Sequence, residues 1–169
     1  MAELRKLGLE HIVMLTGDKA SIAEEVAAEV GIKEVVADCL PQDKINRLKE
    51  TASQERPIIM VGDGVNDAPA LVTADVGIAM GAHGSTTASE SADAVILKDD
   101  LSKVAMAVKI SKDTMTVARQ SVLIGLFICL FLMLVASTGI IPTLIGAMLQ
   151  EVVDTVSILS ALRARSNRP

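Results

Sequence analysis

The sequence contains no tryptophan and no tyrosine, so the aromatic belt that commonly marks a membrane–water boundary is missing. Cysteine is scarce: Cys39 and Cys129 are the only two, 90 residues apart and in segments of opposite polarity. No disulfide is expected between them, and a reducing cytoplasm is the simpler setting. "MAELRKLGLE" lacks the apolar core of a signal peptide. A basic excess is lacking too, since 16 Lys and Arg stand against 21 Asp and Glu for a formal net charge of -5. That balance argues against nucleic acid as a partner. No internal repeat or low-complexity segment stands out. The sharpest absence is local: from Ser121 to Leu162 there is no Lys or Arg, and the only acids are Glu151 and Asp154.

The chain therefore divides in two. Its 169 residues suit one domain of ordinary size, but residues 1–120 hold all but three of the basic side chains and all but two of the acidic ones. The first part reads as a soluble, mildly acidic α/β region and the second as membrane. "HIVMLTGD" (11–18) is an apolar run ending in turn chemistry. Residues 19–30 place Ile22, Val26 and Val30 on one helical face, stopped by Gly31. "EVVADCL" (34–40) reads as a strand, and "PQDKINRLKETASQ" (41–54) as a helix with Pro41 in its first turn and Ile45 and Leu48 facing inward. "PIIMVGDG" (57–64) reads as a strand buried on both faces. "DVGIAMG" (75–81) and "DAVILKDD" (93–100) read as strands with a short helix at 85–91 between them. This alternation predicts a parallel sheet covered by helices, with the ligand beyond the C-terminal strand ends.

A helical pattern from Leu101 to about Gln120 runs into "SVLIGLFICLFLMLVASTGII". Segments 121–141 and 142–162 are each long enough to cross a bilayer. Basic residues flank the pair (Lys109, Lys112 and Arg119 before; Arg163, Arg165 and Arg168 after), and none lies in the "STGIIPT" connection. By the positive-inside rule both ends are cytoplasmic and the helices form a hairpin. Predicted boundaries are the α/β region at 1–100, a connecting helix at 101–120, two membrane helices at 121–162 and a basic tail at 163–169.

The chemistry concentrates in three places. In "MVGDGVNDAPAL", Asp63 stands at a strand end between two glycines, with Asn66 and Asp67 close behind. Clustered carboxylates repel unless a cation lies between them. A few hard oxygen ligands at a turn suit Mg²⁺, which keeps several waters and shares phosphate oxygens. Lys44 in "PQDK" is a point charge able to approach the same phosphate, while Thr16 and Gly17 offer a hydroxyl and backbone N–H donors. Together these parts describe a phosphoryl-transfer site without its nucleophile. Taken singly, each Asp, Asn or Thr reads equally well as a turn residue or helix cap. In the second apolar segment, Gln150, Glu151 and Asp154 share neighbouring helical positions. A charge there costs roughly 2.5–3.5 kcal/mol on insertion scales, which makes an ion path the default reading. Cys129 reads as a packing thiol in apolar surroundings and His83 in "GAHGS" as a loop residue.

The order "TGD", "PQDK", "GDGVNDAPAL", followed by "ADVGIAMG" and "SADAVIL", closely resembles the P-type ATPases. The pair of C-terminal apolar helices is similar to the heavy-metal-transporting branch. The resemblance implies a haloacid-dehalogenase-like, Rossmann-type parallel sheet, here lacking its first central strand, followed by a transmembrane hairpin. It implies ATP as substrate, Mg²⁺ as cofactor and a divalent heavy-metal ion (zinc, cadmium or cobalt) as cargo across a lipid bilayer. Thr16 would bond the transferred phosphoryl group, Asp18 would belong to the nucleotide-facing turn, and Lys44 would neutralise phosphoryl charge. Asp63 and Asp67 would hold Mg²⁺, with Asn66 completing the shell, and Gln150, Glu151 and Asp154 would meet the transported ion. The family's "Asp-Lys-Thr-Gly-Thr" nucleophile motif does not occur in this sequence. Its nucleotide-binding, actuator and earlier membrane parts would be partners, and the chain alone is expected to be inactive. A membrane-anchored phosphatase of the same fold and a non-catalytic membrane module stay open as alternatives. With the central strand absent, strand 11–16 is expected either to pair directly with strand 58–62 or to leave a slot beside it.

Overall fold

A computed structural model of the chain describes residues 1–51, 53–63, 66–81, 90–139 and 142–163. His83 and nearly all of the helix expected at 85–91 lie outside them, as do Gly64, Arg165 and Arg168. The chain forms two compact units, Met1–Met106 and Ala107–Pro169.

The first unit alternates helix and strand: α1 (Ala2–Lys6), β1 (Val13–Leu15), α2 (Ala20–Val30), β2 (Glu34–Val36), α3 (Pro41–Glu50), β3 (Ile59–Gly62), α4 (Ala68–Thr73), β4 (Val76–Met80) and β5 (Ala94–Ile96). All pairings are parallel, as the alternation requires. Among the described residues they make two separate sheets, β1–β2 and β3–β4–β5, and no ladder joins β1 to β3. Direct pairing of strands 11–16 and 58–62 therefore does not occur. Helix α3 holds the two sheets together: Arg47 bonds Glu34 of β2 at 2.8 Å, and Lys44 bonds Asp67, between β3 and α4, at 2.7 Å.

The core sits where α3 and α4 cover β3 and β4, with Leu48, Met60, Ala70, Leu71 and Ala79 buried together and Ile45 packed against them. Burying a leucine such as Leu71 contributes about 1.5–3 kcal/mol. Three expectations need correction. Strand β3 is not buried on both faces: only Met60 is fully enclosed, because β3 is an edge with β4 on one side. The strand expected over 34–40 ends at Val36, since the backbone of Asp38 and Cys39 turns to bond the loop after β1. In α2 the buried stripe is Ala23 and Ala27, whereas Ile22 is 53% exposed and Val26 43%. The true stripe lies one residue along, where small alanines let the helix sit close to its neighbours.

Two aspartates that the sequence reading left without a role stitch the larger sheet. Asp75 accepts from the Ile58 N–H at 2.7 Å and from Arg56 at 2.6 Å, which ties the start of β3 to the start of β4. Asp93 does the same for β5, accepting from the Gly77 N–H at 2.8 Å.

Helix α5 (Ser102–Ser137) runs without a break, as the continuous pattern from Leu101 anticipates. Asp100 accepts from the Ser102 N–H at its start. The Ser102 hydroxyl and that N–H hold the Asp100 carboxyl below the usual range. Helix α6 is Thr143–Ala161. Both are long and apolar enough to cross a membrane. Within the second unit their seam is made of small and polar residues. Ser121 faces Ser160 across 3.5 Å, and a Cβ on Gly125 would lie 3.0 Å from the Ser157 hydroxyl. Such residues let two backbones approach closely where lipid removes any hydrophobic drive to associate. Leu126, Phe127, Phe131 and Leu134 point outward and are exposed.

Candidate phosphoryl and ion sites

Each proposed phosphate-handling residue follows the C-terminal end of a strand, which is where a parallel sheet leaves a crevice. Thr16 and Gly17 directly follow β1. The Thr16 hydroxyl donates to Asp18 Oδ2 at 2.9 Å and accepts the Asp18 N–H at 3.1 Å, so residues 16 and 18 form one closed turn. That turn is laced to the loop after β2: Cys39 N–H donates to the Thr16 carbonyl and Asp38 N–H to the Asp18 carbonyl, each at 2.9 Å. Asp38 holds a φ of 51° to make the second bond. Gly17 is packed under the Cys39 carbonyl, 3.4 Å from where a Cβ would stand.

Lys44 lies in the first turn of α3. Pro41 opens that helix, and the Asp43 carboxylate accepts from the Leu40 N–H at 2.9 Å, which fixes the angle at which the helix begins. Lys44 then reaches Asp67 Oδ1 at 2.7 Å, with side chains only 15% and 13% exposed. Asp67 occupies the N-cap position of α4, yet its side chain caps nothing. It lies instead over Gly62, where a Cβ would sit 2.7 Å from Oδ2. Only glycine leaves room for the carboxylate there, which gives the first glycine of "VGDG" a physical reason. The ordinary helix-cap reading of Asp67 is thus replaced by a nearly buried ion pair, and a magnesium role for Asp67 must share the carboxylate with Lys44.

Asp63 directly follows β3 and is exposed, and Asn66 is exposed as well. Among the described residues no hydrogen bond joins the Thr16–Asp18 turn to the Lys44–Asp67 pair, and no three His, Cys, Asp or Glu side chains gather into a metal cage. In the second unit, Gln150 donates to Asp154 Oδ1 at 3.2 Å along α6 and lies 3.3 Å from Cys129 Sγ on α5. Cys129 is a half-buried free thiol packed against this amide as well as its apolar neighbours. Hydropathy places it on the helix, but only packing shows the amide opposite. Glu151 is exposed beside this group.

Comparison with known proteins agrees with this layout. Residues 1–75 match the haloacid dehalogenase-like hydrolase family. The chain is 37% identical to a cadmium-transporting ATPase of Staphylococcus aureus over 162 residues, covering 95% of this chain and 22% of that protein. It is 40% identical to a copper-exporting P-type ATPase of Vibrio cholerae over 166 residues, covering 98% of this chain and 18% of the other. The crystal structure of a zinc-transporting PIB-type ATPase in its E2.Pi state superposes with a TM-score of 0.83 at 32% identity, over 90% of this chain and 25% of that one. The chain is thus homologous to part of cadmium-, zinc- and copper-transporting P-type ATPases. It spans about a fifth of the length of these curated relatives. The haloacid-dehalogenase-like parallel fold and the two long apolar helices match that architecture.

Proposed function

We propose that this chain supplies phosphate-handling residues and two membrane helices to an ATP-driven pump for zinc, cadmium or cobalt. The Lys44–Asp67 pair carries the reading: a nearly buried cation is held on Asp67, in the same loop between β3 and α4 as the exposed carboxylate of Asp63. P-type ATPases in general use ATP and Mg²⁺. The donor set here fits that ion, because Mg²⁺ takes one or two carboxylates and completes its shell with water and phosphate oxygens. Asp63 would hold it, with Asp67 and Asn66 in the surrounding shell. When bound, Mg²⁺ neutralises charge on the phosphoryl oxygens. Lys44 adds a fixed positive charge on the same side. The Thr16 hydroxyl, which would turn from Asp18 to do so, and the Gly17 N–H would meet the phosphoryl group.

The aspartate that becomes phosphorylated would come from another segment, since no Asp-Lys-Thr-Gly-Thr run occurs in the sequence. The nucleotide-binding, actuator and further membrane parts of the pump are then the partners of this chain. Gln150, Glu151 and Asp154 line the ion path. Lys109, Lys112 and Arg119 before the hairpin and Arg163 after it favour a topology with both its ends in the cytoplasm. A segment swap tests the reading. This chain replaces the matching 162 residues of the Staphylococcus aureus cadmium ATPase, and cadmium-stimulated ATP hydrolysis is measured. The swapped pump is expected to turn over, and Asp63→Asn to slow it on the order of 10²-fold. A normal rate in the Asp63→Asn protein would remove Asp63 from the metal role.

A further inference from the structure

One face of α5 changes character along its length. Lys109, Lys112 and Arg119, then Leu123, Leu126 and Leu130, follow one another at spacings of three, four and seven residues. Such spacing puts them in a single stripe, which turns from basic to apolar between Arg119 and Leu123. All six are exposed. Arg163, just beyond α6, brings another cation to the same level. Ser121 meets Ser160 across 3.5 Å, two residues after Arg119 and three before Arg163. We propose that this stripe binds an anionic phospholipid. Its phosphate meets Arg119, Lys112 and Arg163 add positive charge around the headgroup, and the acyl chains lie along the leucines. This rests on the reading of α5 and α6 as a membrane hairpin.

Three observations favour lipid over another helix as the occupant. The stripe repeats the profile of the lipid itself, charge at headgroup depth and hydrocarbon below it. A helix seam in this protein looks different: α5 meets α6 through Ser121, Gly125 and Cys129, small side chains that let backbones approach, and the stripe carries none of that size. The charge is also uncompensated where it matters. Asp113 is the only acid in α5, and it stands four residues from Lys109 but six from Arg119, so it offsets the outermost cation and not the one at the boundary. Finally, the sequence has no tryptophan or tyrosine, the rings that usually fix a helix at headgroup depth. Arginine and lysine are the anchors left at that level, and each attracts an anionic leaflet by about fivefold.

The lack of native tryptophan supplies the probe. Leu123→Trp, one turn below Arg119, gives the full chain a single indole on the stripe. The protein is placed in phosphatidylcholine vesicles, and its fluorescence is quenched with phosphatidylglycerol or phosphatidylcholine carrying brominated acyl chains. Brominated phosphatidylglycerol is expected to quench equally at a mole fraction at least about fivefold lower. Adding Arg119→Gln with Arg163→Gln should bring that ratio close to one, as should raising the salt from about 0.1 M to about 1 M. Quenching by brominated phosphatidylcholine should stay the same in the double variant, which shows that the helix still inserts. Equal quenching by the two lipids, or a preference unchanged by the double variant, would overturn the lipid site and leave the hairpin standing. Weak quenching by both in protein that stays with the vesicles would mean that another helix, from a second copy, covers the stripe, and would overturn the site as well. Protein that does not stay with the vesicles would overturn the hairpin too.

Discussion

The two units bury opposite things. In the sheet unit Leu71 and Ala79 are each 1% exposed, and charge is kept at the strand ends. In the hairpin the large apolar side chains Phe127 and Phe131 are 69% and 65% exposed, while Ser121 is 7% exposed. One rule produces both patterns: each unit turns inward the groups that its surroundings solvate worst. The difference also tells where chemistry can sit. In the sheet unit a polar site forms at an open end without disturbing the core, so it can hold several charges. In the hairpin the least exposed polar side chains, Ser121, Cys129 and Gln150, find partners across the helix pair, whereas Thr155 bonds a carbonyl of its own helix.

The comparison can be broken from either side. The largest expected effect is Leu71→Ala, which opens a cavity between α4 and the sheet and should destabilise the first unit by about 2–5 kcal/mol in denaturant titration. Hairpin helicity in micelles should be unchanged by it; loss of both together would show that the units do not behave separately. A smaller effect is expected from Gly125→Leu, which forces bulk against Ser157 in the seam. A cost of about 1–3 kcal/mol is expected for hairpin unfolding in micelles, with no change in sheet-unit stability. If Gly125→Leu leaves the hairpin unaffected, close approach of α5 and α6 is not what holds it.

Much of this architecture is legible in the sequence because strong local signals agree. The alternation of apolar runs with Pro41-led and Gly31-ended segments gives the parallel α/β pattern, and a stretch from Ser121 to Leu162 without Lys or Arg gives the hairpin. The motif positions of Lys44, Asp63 and Asp67 point to one phosphate-handling edge, and the structure joins Lys44 to Asp67. What is not legible depends on partners distant in the chain. Helix periodicity alone favours the Ile22–Val26–Val30 stripe, because apolar size is visible in a sequence and the space available to Ala23 and Ala27 is not. Cys129 looks apolar because its sequence neighbours are, while its decisive neighbour, Gln150, is 21 residues away. Asp75 and Asp93 read as loop acids until the strand N–H groups they satisfy are in place.

Phosphoenzyme formation from inorganic phosphate, measured in the segment-swapped cadmium pump, separates the two regions most directly, because that step needs the phosphate-handling edge and no transported metal. The account predicts that Asp154→Ala abolishes cadmium-stimulated ATP hydrolysis yet still forms phosphoenzyme from phosphate, whereas Lys44→Ala loses both. Phosphoenzyme at full level in the Lys44→Ala pump, or its loss in the Asp154→Ala pump, would contradict the division of labour between sheet unit and hairpin.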